Sequence, residues 1–288
     1  MKSLTILITG ATAGIGRTTA LHLARAGHLV LASGRREGAL ESLREEAKGT
    51  KLVTLRLDVT SSESIEAAKA KVHEMTDGQG LDVLVNNAGY GLVGPTEMLA
   101  DADVRAQFDT NVFGMLAMVR AFVPAMRARG AGRILNVSSV GGRVTFPFMG
   151  AYNSTKYAVE SLSDALRVEL SAFGIKVVLI EPGVIHTEFA EVAMATRGQE
   201  TGGPYAAVLA NATKLQRRFE ATGVGPEHVA RAIERAITAR RPSARYVVPL
   251  RTYLVIAMFR LLPTSWMDAA FRALTGLGSR ALGQAPPA

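Results

Sequence analysis

Short, almost uninterrupted apolar runs, each followed by a longer stretch of helical periodicity, restrict most what this chain can become. Val177-Val178-Leu179-Ile180 has no polar face, so a strand built from it must be covered on both sides, as in a parallel sheet. Strand-like runs recur at 4–9, 29–33, 52–58, 83–86, 132–138, 176–181 and 245–248. Amphipathic stretches at 15–25, 37–47, 61–74, 102–129, 152–172 and 226–238 lie between them. This alternation requires crossover connections, and it predicts a doubly wound α/β sheet of seven parallel strands with helices on both faces. Two regions fall outside the pattern. Residues 188–225 form a connection rich in small and polar residues, and its length predicts a functional lid. Residues 249–288 follow the last strand and predict a C-terminal helical extension.

The first strand runs into Gly10-Ala11-Thr12-Ala13-Gly14-Ile15-Gly16. Glycines between a strand and a helix let the backbone turn tightly and approach a pyrophosphate, which then sits on the positive end of the helix. The spacing is G-x-x-x-G-x-G, with no G-K-[ST], so a phosphate-hydrolysing P-loop is excluded. The second strand ends Ser33-Gly34-Arg35-Arg36. A dinucleotide site that takes NAD places an acid here for the ribose 2′-hydroxyl, and one that takes NADP uses arginine for the 2′-phosphate. Gly34 stands where the acid would be, so the expected cofactor is NADP(H) rather than NAD(H).

Tyr152 and Lys156 are four residues apart in a helical pattern and share one face. Around them stand Asn86-Asn87-Ala88-Gly89 after the fourth strand, Asn111 in Asn111-Val112-Phe113-Gly114, Ser138-Ser139 after the fifth, and Pro182-Gly183 with Thr187 after the sixth. With these in order, the chain from about residue 2 to 248 resembles the single-domain short-chain dehydrogenase/reductase superfamily. The stretch 110–189 is especially similar to hydroxysteroid and retinol dehydrogenases and their bacterial relatives.

The resemblance implies a Rossmann fold and a role for each motif. Tyr152 would be the general acid for carbonyl reduction and the base for alcohol oxidation. Lys156 would favour the phenolate and hold the nicotinamide ribose. Ser139 would hydrogen-bond the substrate oxygen, and Asn111 would position a water leading to Lys156. Gly10, Thr12, Ala13, Gly14, Ile15 and Gly16 would cradle the pyrophosphate, Arg35 and Arg36 would take the adenosine phosphate, and Ser33 would also contact the cofactor. Asp58 and Val59 would meet the adenine, Asn87, Ala88 and Gly89 the adjoining ribose, and Pro182, Gly183, Val184 and Thr187 the nicotinamide end. Ala13 stands where some NADP-preferring relatives carry a second basic residue, so Arg35 and Arg36 would hold the phosphate unaided. A homodimer or homotetramer is implied through the helices of Asn111 and Tyr152. The alternative class, a non-catalytic cofactor-binding protein, predicts loss of Ser139, Tyr152 or Lys156, and all three are intact.

The chain has no cysteine, which removes disulfides and thiolate chemistry. Its five histidines, His22, His28, His73, His186 and His228, lack metal-ligand spacing, so no metal is expected. The apolar run before Gly10 is too short for a secretory signal, and a cytoplasmic protein is the expectation. The net charge of +8 is carried wholly by residues 214–288, which is not the distribution of a nucleic-acid binder. Apolar runs between Tyr253 and Phe259 alternate there with Arg251, Arg260 and Arg272. Such a stripe can pack on the domain, meet another subunit or lie on anionic lipid; packing or a subunit contact is the favoured reading. The lid supplies Phe189, Val192, Met194, Tyr205, Val208 and Leu209, which points to a hydrophobic ketone or aldehyde, or its alcohol, as substrate.

Overall fold

A computed structural model describes residues 3–189, 193, 205, 206, 208, 209 and 221–277. Among them, seven parallel strands form one sheet: β1 (Thr5–Ile8), β2 (Leu29–Gly34), β3 (Leu52–Arg56), β4 (Val83–Asn86), β5 (Gly132–Val137), β6 (Ile175–Pro182) and β7 (Arg245–Val248). Their order is β3-β2-β1-β4-β5-β6-β7. The order reverses between β1 and β4, which opens a crevice at the carboxyl ends of those strands.

Side chains alternate across each strand, and the sheet therefore has two separate cores. Ile6, Ile8, Val83, Val85, Val178 and Ile180 face α1 (Gly14–Arg25) on one side. Leu7, Leu84, Ile134, Val177 and Leu179 face the opposite layer. That second layer includes α3 (Ser62–Met75), α5 (Gly114–Arg129) and α6 (Gly150–Glu169). Three further helices are α2 (Glu37–Glu46), α4 (Asp101–Phe108) and α7 (Pro226–Thr238). α7 buries Val229, Ile233, Ala236 and Ile237 in the first core.

One expectation is corrected. The stretch 102–129 is not a single helix: α4 and α5 are joined by a π-helical turn, Asp109–Phe113. Its extra residue turns Asn111 inward, where the side chain bonds the backbone of Tyr90. The C-terminal extension forms α8 (Thr252–Leu261) and α9 (Thr264–Thr275). Ile256 packs there with Val144 and Val247, joined by Phe146 and Phe259.

Candidate active site

The turn after β1 is built for a close approach. Gly10 and Gly14 have φ of 65° and 51°, a left-handed conformation that disfavours any side chain. A Cβ on Gly10 would lie 2.8 Å from the Cα of Ala88, and one on Gly16 2.3 Å from the Gly10 carbonyl. Asn87 ties β4 to this turn: its amide donates to the carbonyls of Thr9 and Gly10, both at 3.0 Å. Thr9 Oγ1 in turn accepts from the amides of Asn87 and Ala88. Ala13 is the N-cap of α1 and has no side chain that can accept from the first-turn N–H groups. Those donors face the crevice edge and suit an anion. Ile15 packs its side chain on the first core. Thr187, returning from β6, lies over Gly14, 3.3 Å from where a Cβ would be.

Gly34 faces Thr12, whose Cγ2 a Cβ there would meet at 2.4 Å. Arg35 is 68% exposed, with Nη1 3.9 Å from Asp58 Oδ2. Burial pushes the Asp58 carboxyl up, but hydrogen bonds from Thr60 and the charge of Arg35 together hold it below the usual carboxylate range. Arg36 is exposed at the N-cap of α2. Val59 packs at Gly114. Ser33 is fully buried, and its hydroxyl donates to the Ile8 carbonyl at 3.0 Å. Its side chain serves the β1–β2 pair rather than the crevice.

Ser139, Tyr152 and Lys156 come together at the ends of β5 and β6 and are buried, being 9%, 6% and 7% exposed. Ser139 follows β5 and caps a short 3-10 turn, accepting from Gly141 N at 3.0 Å. Lys156 Nζ donates to the Val137 carbonyl at 2.9 Å and stands 5.8 Å from the centre of the Tyr152 ring. Loss of water pushes the Tyr152 phenol up to about 12, with the Ser139 hydroxyl pulling it down. The same desolvation lowers Lys156 to about 8 while Glu160 pulls it up. Burial thus favours the protonated form of Tyr152.

Asn111 is held at both ends. Its amide donates to Tyr90 O at 3.0 Å and Thr155 Oγ1 at 3.1 Å, and its Oδ1 accepts from Tyr90 N at 3.1 Å. Gly89 separates it from Lys156: a Cβ there would lie 3.0 Å from Asn111 Oδ1 and 3.7 Å from Lys156 Nζ. Asn153 pins the loop ahead of α6 through Gly141 O and Phe146 N. Neither Thr155 nor Asn153 was picked out from sequence. Polar residues on the inward face of an amphipathic helix were the available signal. Gly183 donates to Val248 O, and Val184 O accepts from Val224, which closes the base of the 188–225 segment. Pro182 is buried beside Ser139. The Phe189 ring lies 5.4 Å from the Tyr152 ring, tilted 57° to it. Tyr205 stands edge-on to Phe148 at 6.1 Å, Val208 is buried and Leu209 is partly buried. Val192 and Met194 lie outside the described residues.

Behind Lys156 is a buried acid pair. Glu160 and Glu181 share Arg245, whose Nε is 3.1 Å from one and 3.0 Å from the other. Arg143 adds a second contact to Glu181 at 3.0 Å. Burial and the neighbouring Glu181 push Glu160 up to about 7, against the pull of Ser138 and Arg245.

A glycine-cradled crevice beside a buried Ser, Tyr and Lys defines a dinucleotide-dependent oxidoreductase of the single-sheet kind. Residues 4–198 match the short chain dehydrogenase family model, and the chain belongs to that family. It is 39% identical over 263 residues to the uncharacterized oxidoreductase YbbO of Escherichia coli, covering 91% of this chain and 92% of that protein. It is 35% identical to the 3-ketodihydrosphingosine reductase of Bacteroides thetaiotaomicron, covering 94% and 98%. It is 32% identical to the NADPH-dependent 3-dehydrocapnine reductase of Ornithobacterium rhinotracheale, covering 92% and 95%. Among solved structures, the closed form of serine dehydrogenase with NADP+ matches at a TM-score of 0.74 and 30% identity over 85% of this chain and 94% of that one. A Burkholderia phymatum short-chain dehydrogenase/reductase in complex with NAD matches at 0.79 and 28%, over 89% and 92%.

Proposed function

We propose that this oxidoreductase uses NADP(H) to interconvert a hydrophobic ketone or aldehyde and its alcohol, with Tyr152 as the general acid and base. The observation that carries the proposal is the joint burial of Ser139, Tyr152 and Lys156 beside the glycine turn. A reduced nicotinamide, when bound, would supply the hydride. In reduction, protonated Tyr152 gives its phenolic proton to the carbonyl oxygen, while Ser139 holds that oxygen as charge develops on it. Lys156 would hold the nicotinamide ribose and, when charged, would stabilise the phenolate left on Tyr152. Asn111, fixed by Tyr90 and Thr155, positions the link to Lys156. Oxidation runs the same proton path in reverse.

Gly10, Thr12, Ala13, Gly14, Ile15 and Gly16 would hold the pyrophosphate, Asp58 and Val59 the adenine, and Ala88 and Gly89 the ribose next to it. Pro182, Gly183, Val184 and Thr187 would border the nicotinamide. NADP(H) is favoured by Arg35 and Arg36, by the missing carboxylate at Gly34, and by the NADPH dependence named for one relative. A hydrophobic substrate fits Phe189, Tyr205 and Val208, and two relatives are named as reductases of a 3-keto and a 3-dehydro compound. We assign residues 1–248 to the catalytic domain, with 188–225 as its substrate lid and 249–288 as an extension, and expect a homo-oligomer.

The test is NADPH and NADH consumption against carbonyls graded from short aliphatic to steroid-sized. The expected result is turnover that rises with apolar bulk and is about ten- to a hundredfold better with NADPH, the worth of one charge-assisted hydrogen bond. Tight NADPH binding with no turnover on any carbonyl would contradict the enzymatic reading.

A further inference from the structure

The C-terminal helices present a surface that packing on the domain does not account for. α8 turns Thr252, Ile256 and Phe259 inward, and its exposed positions are Tyr253, Leu254, Ala257, Met258, Arg260 and Leu261. Leu254, Ala257, Met258 and Leu261 follow Tyr253 by one, four, five and eight residues and make a continuous apolar stripe, with Arg260 on the same face. Leu254 is 75% exposed, Leu261 82%, and Trp266 on α9 66%. Exposed apolar surface on this scale marks a contact.

We propose that the outer face of α8 and α9 docks the protein on an anionic lipid surface. Charge chooses this occupant. Among the described residues from 249 onward, Arg251, Arg260 and Arg272 stand against Asp268 alone. Arginines framing an apolar stripe, with a tryptophan at its edge, suit a helix lying in the plane of a lipid headgroup layer. A two-fold contact with a second copy would bring two arginine-bearing faces together with little acid to balance them. A groove of about 560 Å³, lined by residues that include Arg235, Ser243, Tyr246, Leu250 and Tyr253, opens beside the stripe. Arg235 gives an acidic headgroup a counter-charge there. No helix among the described residues is long and apolar enough to cross a membrane, so the contact is peripheral.

The inner face of the same helices borders the candidate site. A Cβ on Gly183 would lie 2.6 Å from Thr252 Oγ1. Phe146, six residues ahead of Tyr152, meets Phe259 and Phe271 edge-on, each at 6.1 Å. Docking would thus hold the loop leading to Tyr152 close to the lipid. The delivery of an apolar carbonyl by that route rests on the function proposed above; the docking itself does not.

The test is co-sedimentation of the full chain with vesicles of phosphatidylglycerol and phosphatidylcholine, and of phosphatidylcholine alone. It is run at low and high salt, with light scattering for oligomeric mass and circular dichroism for folding. The expected result is binding to the anionic vesicles that weakens with salt. Each of Arg260→Gln and Arg272→Gln should weaken it about fivefold, the effect of one cation near an anionic surface. The double variant L254E/L261E, at exposed positions, should fold normally and lose binding. No binding to anionic vesicles at low salt would overturn the proposal. So would an unchanged affinity in a folded L254E/L261E, or a change in its oligomeric mass, which would assign the stripe to a contact between copies.

Discussion

Tyr152 and Lys156 sit in the same water-poor pocket, and desolvation moves them in opposite directions, to about 12 and about 8. Both shifts favour the neutral form. A neutral Tyr152 is what a proton donor needs, whereas Lys156 loses its charge as pH rises through about 8. Reduction that depends on charged Lys156 should therefore decline above about pH 8; a flat rate from pH 7 to 9.5 in single-turnover measurements would contradict that dependence. Arg35 is a cleaner case, because its side chain lies mostly in solvent. Arg35→Ala should raise KM for NADPH about ten- to a hundredfold and leave KM for NADH unchanged; equal effects on both would remove it from phosphate recognition. Glu160, raised to about 7 by burial and Glu181, favours the folded state most below its ordinary value of 4.5. That contribution fades as pH rises through about 7. Between pH 5 and 8 the wild type should lose more thermal stability than Glu160→Gln, at about 2–4 °C for each kcal/mol in a chain of this size. Identical pH profiles of Tm would show that Arg245 keeps the carboxylate charged throughout.

At the scale of elements, legibility depended on whether local pattern or distant packing decides the shape. Gly10, Gly14 and Gly16 could be read because a tight turn against Ala88 excludes a side chain wherever the fold places it. β6 could be read because a run with no polar face has few alternatives. The π-helical turn at Asp109–Phe113 was not legible. Apolar periodicity continues across it, and the extra residue is stabilised by the Asn111 bonds to Tyr90, a residue on another segment. The bond of the Ser33 hydroxyl was not legible for the same kind of reason, since its partner Ile8 lies on the neighbouring strand. The tight space at Gly89 makes a test of this arrangement. Gly89→Ala places a methyl 3.0 Å from Asn111 Oδ1 and should lower kcat about tenfold or more, because small misplacements near reacting groups are costly. Unchanged kcat would free the Asn111 position from any part in turnover.

For the whole molecule, the sequence pattern carried the sheet, its parallel sense and the helices on both faces, since all follow from alternating strands and helices. It carried much less of the segments after β6. Which face of α8 is buried is decided by Val144 and Phe146, about a hundred residues earlier in the chain, and periodicity alone cannot identify that partner. The acid pair Glu160 and Glu181 was also invisible, because helix, strand and Arg245 meet only in the folded chain. The proposal that joins these levels is that the fold gathers Ser139, Tyr152 and Lys156 for proton transfer to a carbonyl. Replacing Tyr152 by Phe, and measuring NADPH oxidation together with NADPH affinity, tests it most directly. Loss of the phenolic proton should lower turnover by about 10²–10⁴-fold while NADPH affinity stays within about twofold. Undiminished turnover in Tyr152→Phe would refute Tyr152 as the acid.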